Sequence, residues 1–206
     1  MSDGSVKSGL FLVVSAPSGT GKTTVCRKFL KQTPGVRFSV SYTTRSPRRG
    51  EVDGRDYHFI PEEDFRCRIA EGEFAEWAEN YGNLYGTSAK TMREFLEKGE
   101  DLLLDVDTRG ARALKKNFPG GIYVFILPPD LDALRARLSR RGSEARETME
   151  RRFSRAIEEI REAFGYDYVV CNDRVDEAVD CIRSIYIAER CRTARWTGKI
   201  EQLIPE

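Results

Sequence analysis

Residues 10–24 read LFLVVSAPSGTGKTT, and the fold turns on how that stretch is parsed. Leu10 to Ser15 is a short, β-branched apolar run that ends in a Gly-containing turn, and Lys22 to Lys31 then mixes basic and apolar positions at helical spacing. A strand is therefore followed by a loop and a helix. Within it, SAPSGTGKTT over Ser15–Thr24 matches the phosphate-loop template G-x-x-x-x-G-K-[ST], with Ala16 in place of the first glycine. Gly19 and Gly21 can take positive φ angles, which lets successive backbone N–H groups converge on phosphate oxygens, and the following helix adds the positive end of its dipole. Lys22 would neutralise the β and γ phosphates and the Thr23 hydroxyl would help ligate Mg²⁺, while Ala16, Pro17, Ser18, Thr20 and Thr24 complete the triphosphate-binding stretch. The competing reading is a glycine turn that merely joins strand to helix; the Lys-Thr pair at the required point argues against it.

Outward from the loop, Asp101–Val106, Ile122–Leu127 and Tyr168–Cys171 are apolar runs suited to strands buried on both faces, as parallel sheets require. Helical patterns cover Arg109–Asn117, Leu131–Arg141, Thr148–Phe164 and Val175–Arg192. The alternation predicts one α/β domain over 1–206, a parallel sheet with helices on both faces, its core at about 8–38, 88–134 and 160–192. Ser39–Thr87 breaks the rhythm with short alternating runs among Gly, Pro and charged residues, predicting an inserted, mainly antiparallel lobe with one helix near Glu62–Glu71. At 135–159 a second insertion carries eight arginines (135, 137, 140, 141, 146, 151, 152, 155) around a turn at Gly142 and Ser143, predicting an arginine-rich helical lid. In the tail, 193–206, Trp196 reads as a packing anchor.

With 34 Lys and Arg against 33 Asp and Glu, the chain has a net charge of +1, which excludes holding nucleic acid or an anionic membrane by bulk charge. Met1–Gly9 is polar and lacks the apolar core of a signal peptide, and no later apolar run approaches the roughly 18 residues of a membrane span, so a cytoplasmic location is expected. Five scattered cysteines without a Cys-x-x-Cys pair read as reduced, incidental thiols. The single histidine, His58, reads as a surface or structural residue, so any phosphoryl transfer here must proceed without an imidazole base.

The inserted lobe carries its own chemistry. Arg45 and Arg48, three apart in a Pro-containing turn, can put two guanidinium forks on one phosphate, and Tyr57 and Tyr85 can add neutral donors, so the set would seat a monophosphate. Taken singly, Tyr57 would pass for a core residue and Arg48 with Arg49 for a solvated charge pair. Asp105 and Asp107 end a buried strand, where open α/β sheets bind ligands, with Mg²⁺, water or the acceptor as their partner.

SYTTRSPRRGEVDGRDYHF at Ser41–Phe59, FAEWAENYGNLYGTS from Phe74 and LLLDVDTRG from Leu102, together with the phosphate loop and the lid arginines, resemble the guanylate kinase family, enzymes that make GDP and ADP from GMP and ATP. The resemblance runs from about Leu10 to Ala188. It implies that Arg45, Arg48, Tyr57 and Tyr85 hold the GMP phosphate and that Glu76 reads guanine, with Ser41 and Thr87 contacting the base. The chemistry agrees, since guanine presents N1–H and N2–H side by side to one ionised carboxylate, whereas adenine faces it with an acceptor. The resemblance further implies lid roles for Arg137, Arg141 and Arg152, the last two reaching the bridging phosphates, and leaves Arg135, Arg140 and Arg155 as a solvated face. Asn172 matches a position near the adenine of ATP, with a turn-forming Asn-Asp as the alternative. Arg109 stands where the family commonly has glutamine. The implied partners are ATP and GMP, with dGMP a further candidate, on a monomer or weak homo-oligomer. Two alternatives remain open from the residues: a P-loop kinase of phosphorylated sugars, and a non-catalytic interaction module of the same fold that binds phosphopeptides.

Overall fold

The computed structural model describes residues 8–80, 82–139 and 146–204, with backbone alone at 146–148. In chain order the strands are β1 (Phe11–Ser15), β2 (Val36–Phe38), β3 (Tyr42–Thr43), β4 (His58–Phe59), β5 (Phe74–Asn80), β6 (Asn83–Ser88), β7 (Asp101–Asp105), β8 (Ile122–Leu127) and β9 (Tyr168–Cys171). The helices are α1 (Lys22–Gln32), α2 (Glu62–Ala70), α3 (Ala89–Glu97), α4 (Thr108–Asn117), α5 (Leu131–Ser139), α6 (Arg146–Arg161), α7 (Val175–Arg190) and α8 (Thr197–Glu201).

Five strands form a parallel sheet in the order β2-β7-β1-β8-β9. β1 lies between β7 and β8 and is buried throughout, which is why its sequence lacks polar alternation until Ser15. Successive side chains face opposite layers. Leu12 and Val14 pack with Val25 and Phe29 of α1 and with Ile182 and Tyr186 of α7. Phe11 and Val13 pack on the other face with Met92 of α3 and Leu114 of α4. Phe29 is fully buried and meets Tyr186 edge-on at 6.1 Å between ring centroids. A buried carboxylate, Asp101, ties this layer to the sheet: it accepts from the Leu10 N–H, the Tyr186 hydroxyl and Arg190 Nη1, each at 2.6 Å. Three donors compensate its desolvation.

β2 and α3 lie outside the predicted elements. β2 buries only Val36 fully, too little apolar pattern to stand out, while α3 starts at Ser88, whose side chain accepts from the Thr91 N–H at 3.2 Å. Predicted helix ends shift by one to three residues, and 162–165 tightens into a 3₁₀ turn where Phe164 points into solvent.

The insertion is a second, four-stranded sheet, β4-β3-β6-β5. Its β5–β6 and β3–β6 pairs are antiparallel and its β3–β4 pair is parallel, so the predicted mainly antiparallel lobe contains one parallel pair. His58 takes a structural position, its ring 4.6 Å from that of Tyr42. In the predicted lid α5 packs on α6 through Leu134, Leu138, Phe153 and Ala156. Register pairs Val14 with Asp105 and Ser15 with Phe125, so the chain leaves β1 for the phosphate loop beside the end of β7. That is the carboxyl edge at which open α/β sheets bind ligands.

Candidate active site

Both loop glycines adopt the left-handed region, Gly19 at φ 91° and Gly21 at φ 94°. Space as well as angle demands glycine there: a Cβ on Gly19 would lie 2.9 Å from Leu138 Cδ2, and one on Gly21 2.9 Å from Asn172 Nδ2. α1 begins at Lys22 with no side-chain cap and no acidic residue in its first turn, which leaves its amide dipoles for an anion from outside. Lys22 Nζ sits 2.5 Å from Asp105 Oδ1 and donates to the Val106 carbonyl at 2.5 Å. Burial opposes its charge, but the Asp105 carboxylate outweighs burial and raises the lysine's proton affinity, so the ammonium persists at any physiological pH. Thr23 is exposed at the mouth of the same cavity that Asp105 lines.

Two of the predicted ATP-side residues act on the loop backbone. Asn172, buried after β9, donates from Nδ2 to the Thr20 carbonyl at 2.7 Å, and Arg137 Nη1 donates to the Asn172 carbonyl at 3.0 Å and to Thr20 O at 3.3 Å. Together they brace Thr20 from behind. Of the lid arginines, Arg152 donates from Nη2 to Ser18 Oγ at 3.3 Å. Arg140 and Arg141 lie outside the described residues. Arg135 is paired with exposed Glu150 at 2.9 Å, as a solvated face requires. Arg155 does not belong to that face: it is half-buried and donates to Glu159 at 3.2 Å and to Asn80 of the inserted lobe at 2.9 Å. The Asn80 contact spans 75 positions, so no local pattern could have signalled it.

On the acceptor side a cavity of about 570 Å³ is lined by Thr23, Arg45, Arg48, Tyr57, Tyr85 and Asp105 among others. The two tyrosine rings meet edge-on at 6.0 Å, and the Arg45 guanidinium lies 5.4 Å from the Tyr57 ring centre. Glu51, which the sequence reading quoted without a role, organises the arginines. Its carboxylate takes both Arg45 Nη groups at 2.9 Å and the Arg48 backbone N–H at 2.7 Å. The Arg45 hydrogen bonds hold Glu51 below the usual carboxylate range and raise Arg45 in turn. The Arg45 guanidinium is thereby fixed at the cavity wall, ion-paired through both Nη groups with Glu51.

A smaller cavity of about 170 Å³ adjoins it, sharing Tyr57, Tyr85 and Asp105 and containing Ser41, Glu76 and Asp107. Glu76 is only 6% exposed. Thr87 Oγ1 donates to its Oε1 at 2.7 Å. Its other oxygen lies where α4 passes closely, since a Cβ on Gly110 would come 2.6 Å from Glu76 Oε2. Burial, with the Asp107 charge added, pushes the Glu76 carboxyl up to about 7 against the opposing hydrogen bond from Thr87. Asp107 has a structural task too, because its Oδ1 accepts the Gly110 N–H at 2.9 Å and caps α4. Gly110, like Glu51, escaped the sequence reading; the Asp-x-x-Gly spacing hints at a cap but not at the carboxylate above it. Arg109 reaches the lobe, its Nη1 donating to the Glu79 carbonyl at 3.4 Å.

A phosphate loop at the end of a parallel strand, an arginine lid over it and a separate acceptor lobe with a phosphate fork and a base-sized recess define the class of P-loop nucleoside monophosphate kinases. The profile described as "Guanylate kinase" matches residues 8–189. The chain is 55% identical over 196 residues to a protein named guanylate kinase from Syntrophus aciditrophicus (strain SB), covering 95% of this chain and 94% of that one. It is 50% identical to a guanylate kinase of Geobacter metallireducens, with 92% and 93% covered. The crystal structure of guanylate kinase from Anaplasma phagocytophilum superposes with a TM-score of 0.78 at 34% identity, covering 92% of this chain and 90% of that one. This chain belongs to the guanylate kinase family.

Proposed function

We propose that the chain transfers the γ-phosphoryl group of ATP to GMP, giving ADP and GDP. The observation that carries this is the adjacency of the two cavities, which share Tyr57, Tyr85 and Asp105. The recess lined by Glu76, which Thr87 hydrogen-bonds, borders through Tyr57 and Tyr85 on the cavity lined by Arg45, Arg48 and Thr23 of the phosphate loop. A guanine seated on Glu76 would direct its 5′-phosphate toward Arg45, Arg48 and the tyrosines, facing the donor's outer phosphate.

In this reading the loop amides of residues 19–23 and Lys22 hold the donor phosphates, with Arg137 and Asn172 keeping the loop in shape. Arg152, with Arg141 as the resemblance implies, supplies positive charge to the phosphoryl group in flight. Because the attacking atom is an ionised phosphate oxygen, no residue has to remove a proton first, which suits a site without histidine. The oxygen donors Thr23 and Asp105 line one cavity, a donor set that fits a hard divalent cation shared with the donor's phosphates. Mg²⁺ bound there would neutralise charge on those phosphates. Inserted lobe (39–87) and lid (135–159) would close over the core to exclude water.

Glu76 carries base choice. Its ionised carboxylate accepts from N1–H and the N2 amino group of guanine, while adenine would leave buried polar groups unpaired, a mismatch worth about 10⁴-fold in kcat/KM. Following ADP formation with GMP, AMP and ribose phosphates as acceptors tests the reading. GMP is the preferred substrate by orders of magnitude if it is correct, and equal turnover of AMP or of a sugar phosphate overturns it.

A further inference from the structure

Glu159 of α6 stands between the two halves of the site. Its Oε2 accepts the backbone N–H of Ser18 in the phosphate loop at 3.2 Å, and its Oε1 accepts Arg155 Nε at 3.2 Å. Arg155 in turn donates from Nη2 to Asn80 Oδ1 at 2.9 Å. Asn80 is the last residue of β5 and lines the recess that contains Glu76. An unbroken run of hydrogen bonds thus leads from the acceptor recess through the lid to a backbone amide of the donor loop. Arg155 and Glu159, four apart, sit on one helix face, and Arg152 three residues earlier binds the Ser18 side chain.

The geometry points to a positioning role. We propose that Asn80, Arg155, Glu159 and Ser18 form a relay through which occupancy of the acceptor recess sets the position of the phosphate loop, and the reverse. This rests on the function argued above and adds residues that touch neither reacting atom. Several features make the relay suited to coupling. The Arg155 and Glu159 side chains are 27% and 16% exposed, so water competes weakly for their bonds. Burial raises the Glu159 carboxyl above its ordinary value, and the donors at Ser18 and Arg155 oppose that shift. The planar guanidinium can meet Glu159 and Asn80 at once, which a lysine ammonium at the same position could not do with equal geometry. On the other flank, Arg109 holds the neighbouring Glu79 carbonyl, so a single strand end is gripped by both the core and the lid.

Coupling between two ligands is reciprocal, so it can be read as the factor by which a non-hydrolysable ATP analogue tightens GMP. Titration calorimetry on the full chain, with Mg²⁺ and with or without the analogue, measures it. The wild type is expected to show a factor of about 5 or more, within the usual range for coupled sites. In Arg155→Ala and in Glu159→Gln that factor falls toward 1, while the GMP Kd without the analogue and the melting temperature stay close to wild type. Arg155→Lys, which keeps the charge but not the fork, recovers part of the factor. In turnover the Ala variant shows a raised KM for GMP at saturating ATP with a smaller change in kcat. An unchanged coupling factor in both variants overturns the relay, as does a wild-type factor of 1. Failure of the wild type to bind GMP at all refutes the functional reading beneath it instead.

Discussion

The Glu76 carboxyl is buried, hydrogen-bonded on one oxygen by Thr87, and titrates at about 7 rather than at its ordinary 4.5. Guanine recognition requires the ionised form, so GMP use should follow that titration. At pH 8 roughly nine-tenths of the carboxyls are ionised and at pH 6 roughly one-tenth, giving about a tenfold fall in kcat/KM for GMP at saturating ATP. The acceptor phosphate also titrates, with a second pKa near about 6, and contributes roughly a twofold loss over the same interval. Glu76→Gln separates the two. The variant is weaker at every pH because its amide N–H₂ cannot accept, yet it should lose only the twofold component between pH 8 and pH 6. Stability runs the other way. A carboxyl raised in the folded state stabilises the fold fully below about 4.5, and that contribution, about 3 kcal/mol, is lost as pH rises through about 7. Ligand-free Glu76→Gln should therefore melt higher than wild type at pH 8 and show a flatter pH dependence. The reasoning fails if both proteins lose the same factor in kcat/KM between pH 8 and pH 6.

Lys22→Ala, by removing the ammonium at the loop, should lower kcat by about 10²–10³-fold with an unchanged circular dichroism spectrum. Arg45→Lys cannot reproduce the fork, so KM for GMP should rise about tenfold while KM for ATP stays within about twofold, measured in the same assay. Gly110→Ala would normally favour a helix, but its Cβ would fall 2.6 Å from Glu76 Oε2. It should therefore destabilise the fold by about 1–3 kcal/mol in denaturant melts and selectively weaken GMP binding. Phe29→Ala, a fully buried residue that lines neither cavity, should cost about 3–5 kcal/mol of stability and leave KM values unchanged in the folded fraction.

The core was legible in the sequence where burial on both faces left an unmistakable apolar run, as in β1, β7 and β8, and where glycines at fixed offsets met a Lys-Thr pair. β2 was not, because a three-residue strand with a single buried side chain carries no periodicity. Arg45, Tyr57 and Tyr85 were readable as a phosphate seat from their chemistry, Glu76 only from the resemblance, and the structure brings all four to two adjoining cavities. What stayed hidden depends on contacts between distant segments. Gly110 matters because of a carboxylate on another strand, and Arg155 left the solvated face only because Asn80 folds over against it. Glu51 sat in plain view, but an exposed-looking Gly-Glu in a charged turn gives no sign that it will clamp an arginine six residues earlier.

A guanine on Glu76 and a triphosphate on the loop would face each other across the two adjoining cavities. A crystal structure with a bisubstrate analogue, guanosine and adenosine joined through their phosphates, tests it most directly. The guanine edge is expected on Glu76 and Thr87, the phosphate chain running past Arg45 and Lys22, and the adenosine on the side of Asn172. A guanosine found anywhere but the Glu76 recess, or phosphates that bypass residues 18–23, would contradict it.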